Sequence, residues 1–246
     1  MKALLNKIRR GLIKLRLQPI RVFCFHQVSE NFDPNIYCKP DWISTHVFKA
    51  QIEKLQSEGY QFIALEQAYE HIKRDIFRFK KYAVLTADDG LRCQLELVPW
   101  LEAHKVPITL FVNVETLSGD VCGRPMKEYF QMESKEEESR HAKQLYFVKE
   151  DIDNVSPIVS IGMHGVNHDE VTHLSNEEFN KAVNECISKI GVFDQYIPFY
   201  AYTFGRYSSK TDAILHQLHI VPVLTDGGEN YNDLAYIHRE IIEEKF

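Results

Sequence analysis

Short apolar runs alternate along the chain with longer stretches in which apolar residues recur every three or four positions. Residues 21–26 (RVFCFH) read as a buried strand, followed by a polar loop holding Pro34 and Pro40. Over residues 45–58, Val47, Phe48, Ile52 and Leu55 form a helical stripe, and Gly59 supplies the stop. Phe62 and Ile63 begin a short strand, residues 66–77 return to helical spacing, and YAVLTA at 82–87 is the clearest buried strand. A helix is expected over 91–103, strands at 108–114, 158–163, 199–202 and 220–225, and an amphipathic helix over 176–190. Seven alternations of strand and helix predict an α/β fold of parallel strands joined by crossover helices. The spacing accommodates either a closed barrel or an open doubly wound sheet.

One long irregular segment, residues 116–156, interrupts the alternation; its charged stretch ESKEEESR at 133–140 reads as a solvated helix face. With no repeat and no linker, residues 21–246 read as one domain with an insertion around 116–156. Ahead of it, residues 1–20 read as a basic amphipathic N-terminal helix with Leu4, Leu5, Ile8, Leu12 and Leu15 on one face. Lys7, Arg9, Arg10, Lys14 and Arg16 break the apolar run too often for a secretion signal. Two readings of this head remain: packing on the body, or peripheral contact with an anionic membrane surface.

Composition narrows the classes. The 246 residues are 44% hydrophobic and 26% charged, which excludes disordered, collagen-like and membrane-spanning chains. Seven cations precede the first carboxylate, Glu30, so a net charge of −6 leaves −13 on the rest of the chain. A body that acidic repels phosphate backbones, and nucleic acid is not an expected partner. Five cysteines without a CxxC pair read as reduced thiols, which places the expected setting in the cytoplasm, at the membrane periphery if the head docks there.

In an α/β architecture, functional groups gather at the carboxyl ends of strands. The strand at 82–87 ends in Asp88, Asp89 and Gly90; that at 158–163 ends in His164, Gly165, Val166, Asn167 and His168; the first ends in His26. Adjacent carboxylates at a buried strand end are costly unless a cation relieves them. Two histidines four apart can face the same way on one helical turn, and with one Asp they supply three ligands and leave a position open for water. Ligand chemistry alone admits zinc, Fe(II), Co or Mn.

These residues carry a family resemblance. Thr86-Ala87-Asp88-Asp89-Gly90 is similar to the T-F-D-D-G motif of the polysaccharide deacetylases (the NodB-homology carbohydrate esterases), and His164 to His168 is similar to their H-[ST]-x-x-H motif. The opening strand with His26, the 42–59 helix region and Tyr60-Gln61-Phe62-Ile63 resemble the branch that begins with a Tyr-His motif. Residues 199–205 (FYAYTFG) resemble its F-A-Y-P-Y-G segment and residues 237–241 (IHREI) its L-P-R-I segment. Coverage is about residues 21–246.

The resemblance implies a distorted (β/α) barrel of about seven parallel strands with outer helices. It implies a divalent metal, most often Zn²⁺, with Co²⁺, Fe²⁺ or Mn²⁺ open, held by Asp89, His164 and His168. Asp88 would be the general base, the backbone N–H of Phe204 an oxyanion donor beside Tyr202, and the substrate an N-acetylated amino sugar in a cell-surface polysaccharide or its lipid-linked precursor. The family's Leu-x-His acid motif has no counterpart, which leaves His26, His216, His219 and His238, the last beside Arg239, as candidates for the acid. Tyr200, Tyr202, Phe204, Tyr207 and Tyr231 are candidate sugar platforms, and Asp226 to Asn230 a loop that lines the cleft or forms a surface turn. Ala87 and Thr203 depart from a family Phe and Pro, which raises the alternatives of a catalytically impaired glycan-binding barrel or an amide hydrolase with a non-acetyl substrate.

Overall fold

The structure, a computed structural model, describes residue 11, residues 17–75 and residues 77–244. Most of the expected N-terminal helix lies outside this set. Residues 17–20 of it run extended instead, with Leu17 bridged to Arg78 and Ile20 to Asn230.

Eight strands follow one another around a nearly closed parallel barrel. In spatial order they are β10 (Ile237–His238), β9 (Val221–Leu224), β8 (Tyr196–Ala201), β7 (Val159–Met163), β6 (Ile108–Val112), β5 (Lys81–Ala87), β1 (Arg21–Phe25) and β11 (Glu240–Ile241). The first and last of this series are separated in the chain by Arg239 alone. Residues 237–241 therefore act as one interrupted strand that pairs with β9 through its first half and with β1 through its second, which makes seven positions around the ring. On the side of β5 away from β1, β4 (Tyr60–Phe62) pairs along residues 81–83 and β6 along 85–87. A separate short pair joins β2 (Gln27–Ser29) to β3 (Trp42–Ser44).

Side chains alternate across each strand. Val22, Val84, Phe111, Phe199, Val223 and Ile237 join one buried cluster that fills the barrel. Leu65, Ala68 and Ile72 of α2 (Leu65–Arg74) belong to the same cluster and close the end where the strands begin. The opposite parity packs outward on the helices: Phe25 meets Phe48 of α1 (Thr45–Ser57) at 4.7 Å, and Tyr200 meets Phe179 of α8 (Asn176–Ile190) at 5.7 Å between ring centres. Ser44 and Ser175 cap α1 and α8, the latter in a reciprocal box with Glu178.

Two expectations change. The helix over 91–103 is two helices, α3 (Arg92–Glu96) and α4 (Val98–Ala103), because Pro99 has no N–H to continue the ladder and sits instead in the first turn of α4, where none is needed. The insertion folds into α5 (Arg124–Tyr129), α6 (Lys135–Leu145) and α7 (Lys149–Ile152). Cys122, Met126, Ala142, Leu145 and Tyr146 form a small core of its own against Leu91 and Cys93. On α6, Lys135, Glu136, Arg140 and Lys143 are exposed, whereas Glu138 is buried and turns inward to Lys127 (2.7 Å) and the Cys122 N–H (3.2 Å).

Inside the barrel, a Cβ at Gly162 would lie 2.5 Å from the Phe111 ring and 3.2 Å from the Phe199 carbonyl. Gly162→Ala is therefore expected to destabilise the fold by about 1–3 kcal/mol, measured by urea unfolding, because the interior has no room for one more methyl.

Candidate active site

At the carboxyl end of β5 the chain turns sharply: Asp89 (φ 76°) and Gly90 (φ 70°) both lie in the left-handed region. This turn separates the two carboxylates. Asp88 continues the inward parity of Val84 and Thr86, whereas Asp89 is swung towards the loop after β7.

Arg239 holds both oxygens of Asp88. The guanidinium bonds both carboxylate oxygens, at 2.6 and 2.8 Å, and its remaining N–H groups reach Thr86 Oγ1 (3.2 Å), Thr225 Oγ1 (2.9 Å) and the Leu224 carbonyl (3.3 Å). Arginine has five donors, and all five are satisfied in the dry interior. Burial would raise the Asp88 pKa, but the charge of Arg239 and its paired hydrogen bonds hold it well below the usual carboxylate range. Gln94 of α3 adds a backbone clamp: its amide donates to the His26 and Asp88 carbonyls, and its oxygen accepts from the Leu91 N–H.

Asp89, His164 and His168 converge, with one ligand atom from each within 4.8 Å of the others. The Nε2 atoms of His164 and His168 lie 3.5 and 3.3 Å from Asp89 Oδ1. The histidines do not share a helical turn. They are brought together by a loop in which Gly165 (φ 86°) and His168 (φ 55°) are left-handed, and a Cβ at Gly165 would crowd the Tyr200 hydroxyl at 3.2 Å. His164 Nδ1 donates to the Ala201 carbonyl at 2.8 Å, which fixes the tautomer and leaves Nε2 free to act as a ligand. Burial pushes the His164 pKa down to about 4, so the ring is neutral as a ligand must be. Burial also acts to lower His168, but the Asp89 carboxylate outweighs it and raises its pKa.

Asp89 Oδ1 is buried without a hydrogen-bond partner. An ionised oxygen so placed is costly, and a divalent cation between it and the two imidazoles would satisfy all three groups. The donor set therefore fits a catalytic metal. A second trio, Cys24, His26 and Asp88, is as compact, but Arg239 occupies both Asp88 oxygens and burial pushes the Cys24 thiol up, away from the thiolate a metal needs.

These groups face a cavity of about 300 Å³ lined by His26, Asp41, Asp88, Asp89, Met126, His164, His168, Tyr202 and Phe204, among others. Phe204 is half exposed, left-handed at φ 56°, and stands edge-on to His168 with ring centres 4.6 Å apart. Among the described residues, three of the six non-glycine positions with positive φ thus line one cavity, and backbone strain of this kind gathers at functional sites. Tyr202 is held by its hydroxyl on Asp212 at 2.8 Å.

Other candidates lie elsewhere. His238 follows the opposite parity from Arg239 and pairs with Asp226 at 2.9 Å, outside the cavity. His216 and His219 line a different cavity with Glu66 and Tyr69. Tyr231 is not at the mouth, for its carbonyl holds Arg78, which precedes β5 at the far end. Of the four histidines, His26 alone reaches the site. Ala87 faces the outer helices and is absent from the cavity wall. Thr203 replaces the stiffness of a proline with a 2.6 Å hydrogen bond from Oγ1 to the Asp169 carbonyl, which ties the Phe204 loop to the His168 loop. Gln94, Asp41 and Met126 carried no local signal, since each reaches the site only through long-range packing.

The model of the polysaccharide deacetylase family matches residues 78–223, more than half the chain and the span that carries both motifs. The chain belongs to the polysaccharide deacetylase family. Similar solved structures agree in fold. The deacetylase PplD from Streptococcus pyogenes is 20% identical, with 93% of this chain and 94% of that one covered and a TM-score of 0.65. A de-N-acetylase from Aggregatibacter actinomycetemcomitans is 15% identical, with 93% and 97% covered and a TM-score of 0.69. A polysaccharide deacetylase from Bacillus cereus is 18% identical with a TM-score of 0.67; 94% of this chain is covered, but it spans only 66% of that protein. No curated protein matches the chain significantly.

Removing one member of the buried pair strands the other. Arg239→Met is expected to destabilise the fold by about 3–5 kcal/mol, and the double variant Arg239→Met/Asp88→Leu to recover much of that loss, both measured by urea unfolding.

Proposed function

We propose that this deacetylase hydrolyses the N-acetyl group of an amino sugar in a glycan, with a divalent metal held by Asp89, His164 and His168. Zinc suits the one-carboxylate, two-imidazole set, and cobalt, iron(II) and manganese are alternatives. The observation that carries the reading is Asp89 Oδ1, buried, without a hydrogen bond, and faced by two imidazole nitrogens beside a carboxylate already neutralised by Arg239.

When bound, such a metal supplies Lewis-acid polarisation of the acetyl carbonyl and lowers the pKa of water enough for a weak base to act on it. Asp88 is that base. Arg239 keeps it ionised and fixes both its oxygens, so its direction is set by the barrel rather than by its own rotamers. The backbone N–H of Phe204 is the proposed donor to the carbonyl oxygen as negative charge develops there. His26, across the cavity from the histidine loop, is the proposed acid that gives a proton to the sugar nitrogen as the C–N bond breaks, so that acetate and a free amine leave. Tyr202 and Met126 wall the cavity, and the half-exposed ring of Phe204 offers a face on which a pyranose can stack.

Calorimetric titration of chelated protein with Zn²⁺ or Co²⁺ is expected to show one tight site, absent in His164→Ala and retained in Asp88→Asn. Binding that ignores His164 would overturn the metal assignment.

Acetate release from an N-acetylated oligosaccharide is expected to fall about 10²- to 10⁴-fold in kcat in Asp88→Asn and in His26→Gln. Full activity in His26→Gln would remove that residue from the acid role.

A further inference from the structure

The end of the barrel opposite the cavity carries the most exposed large apolar side chain among the described residues, Phe79, which is 75% exposed. Phe77, 58% exposed, lies beside it with ring centres 6.3 Å apart and planes within 18°. Between them Arg78 turns inward and is tied by four backbone carbonyls, so the segment is anchored while the two rings are presented outward. Rings on so fixed a loop are not a frayed end.

The charge around them has one sign in excess. Apart from the buried Arg78, residues 70–81 contain four exposed cations, Lys73, Arg74, Lys80 and Lys81, against two carboxylates, Glu70 and Asp75. Asp75 is occupied by His71 and Arg78, and Glu70 is shared by Lys73 and Arg74, while Lys80, next to Phe79, stands exposed. The same end receives the chain from the basic head, because Leu17 pairs with Arg78. Aromatic rings with cations beside them match the interfacial layer of an anionic bilayer, where rings sit at headgroup depth and ammonium groups meet lipid phosphates.

We propose that the Phe77–Phe79 end of the barrel docks on an anionic lipid surface. The seven residues of β5 separate this end from Asp88 and Asp89, a rise of roughly 20 Å. The cavity therefore opens away from the bilayer, towards glycan in the aqueous layer rather than towards a sugar at the lipid headgroups. Among the described residues no helix is long and apolar enough to cross a membrane.

The full chain is tested by co-sedimentation with phosphatidylglycerol/phosphatidylcholine vesicles and with phosphatidylcholine alone. Binding to the anionic vesicles is expected, and Phe77→Ser/Phe79→Ser should weaken it about tenfold or more, with a smaller loss in Lys80→Glu. Lys80→Glu carries the test if the double variant fails to unfold cooperatively. Failure of the unaltered protein to bind, or equal binding by these variants, would overturn the proposal. So would a lipid-free dimer in sedimentation velocity that Phe79→Ser dissociates, since the patch would then be an interface between copies. Orientation is read by brominated lipid, which should quench added emission from Phe79→Trp and spare that from Phe204→Trp; quenching of both would overturn it.

Discussion

The rest of the site depends on one buried ion pair. Arg239 and Asp88 lie 151 residues apart in the chain, and their two bonds of 2.6 and 2.8 Å are made where water cannot screen them. A pair so deep is a poor source of net stability, because desolvation consumes most of its Coulomb energy. Its value is directional. The guanidinium reaches β5 through Thr86, the residue after β9 through Thr225, and β9 through the Leu224 carbonyl, so one planar group sets the spacing of three parts of the ring. Asp88 is ionised and aimed because the barrel is closed, and the barrel is closed around the residue that aims it.

The second carboxylate is treated in the opposite way. Asp89 lies one residue on, yet its left-handed backbone takes it out of reach of the guanidinium and leaves one of its oxygens without a donor. Neighbours in sequence thus become one satisfied anion and one unsatisfied one, a division of labour made by a single φ angle. The histidine loop repeats the device, with strain at Gly165 and His168 paid for by the packing beneath.

What was legible beforehand follows from this. The strand at 82–87, the Asp-Asp pair and the two histidines are local patterns, and the alternation of elements implied a parallel sheet whose strand ends hold the chemistry. The helical-turn picture of His164 and His168 failed because spacing says which residues can meet, not by what backbone. Arg239 was visible as the arginine of the 237–241 segment and as a candidate to line the site beside His238, but its bond to Asp88 was not, because only the parity of the closing strand sends Arg239 inward and His238 out. Gln94 and Met126 could not be read at all, since a polar residue in a short helix and a methionine in an insertion acquire meaning only when distant segments pack. Ala87 and Thr203 looked like damage in a one-dimensional comparison. In three dimensions one faces away from the cavity and the other replaces ring rigidity with a hydrogen bond.

The interrupted strand at 237–241 also has a meaning in time. Its partner β1 lies more than two hundred residues earlier, so the last seam of the ring joins segments of very large sequence separation, the slowest class of contact to form. Until that seam is made, Asp88 has no counter-charge and no reason to stay ionised indoors. Partly folded chains consequently hold neither a sealed barrel nor an ionised, aimed Asp88, and the geometry of the candidate site arrives in the same late event that completes the fold.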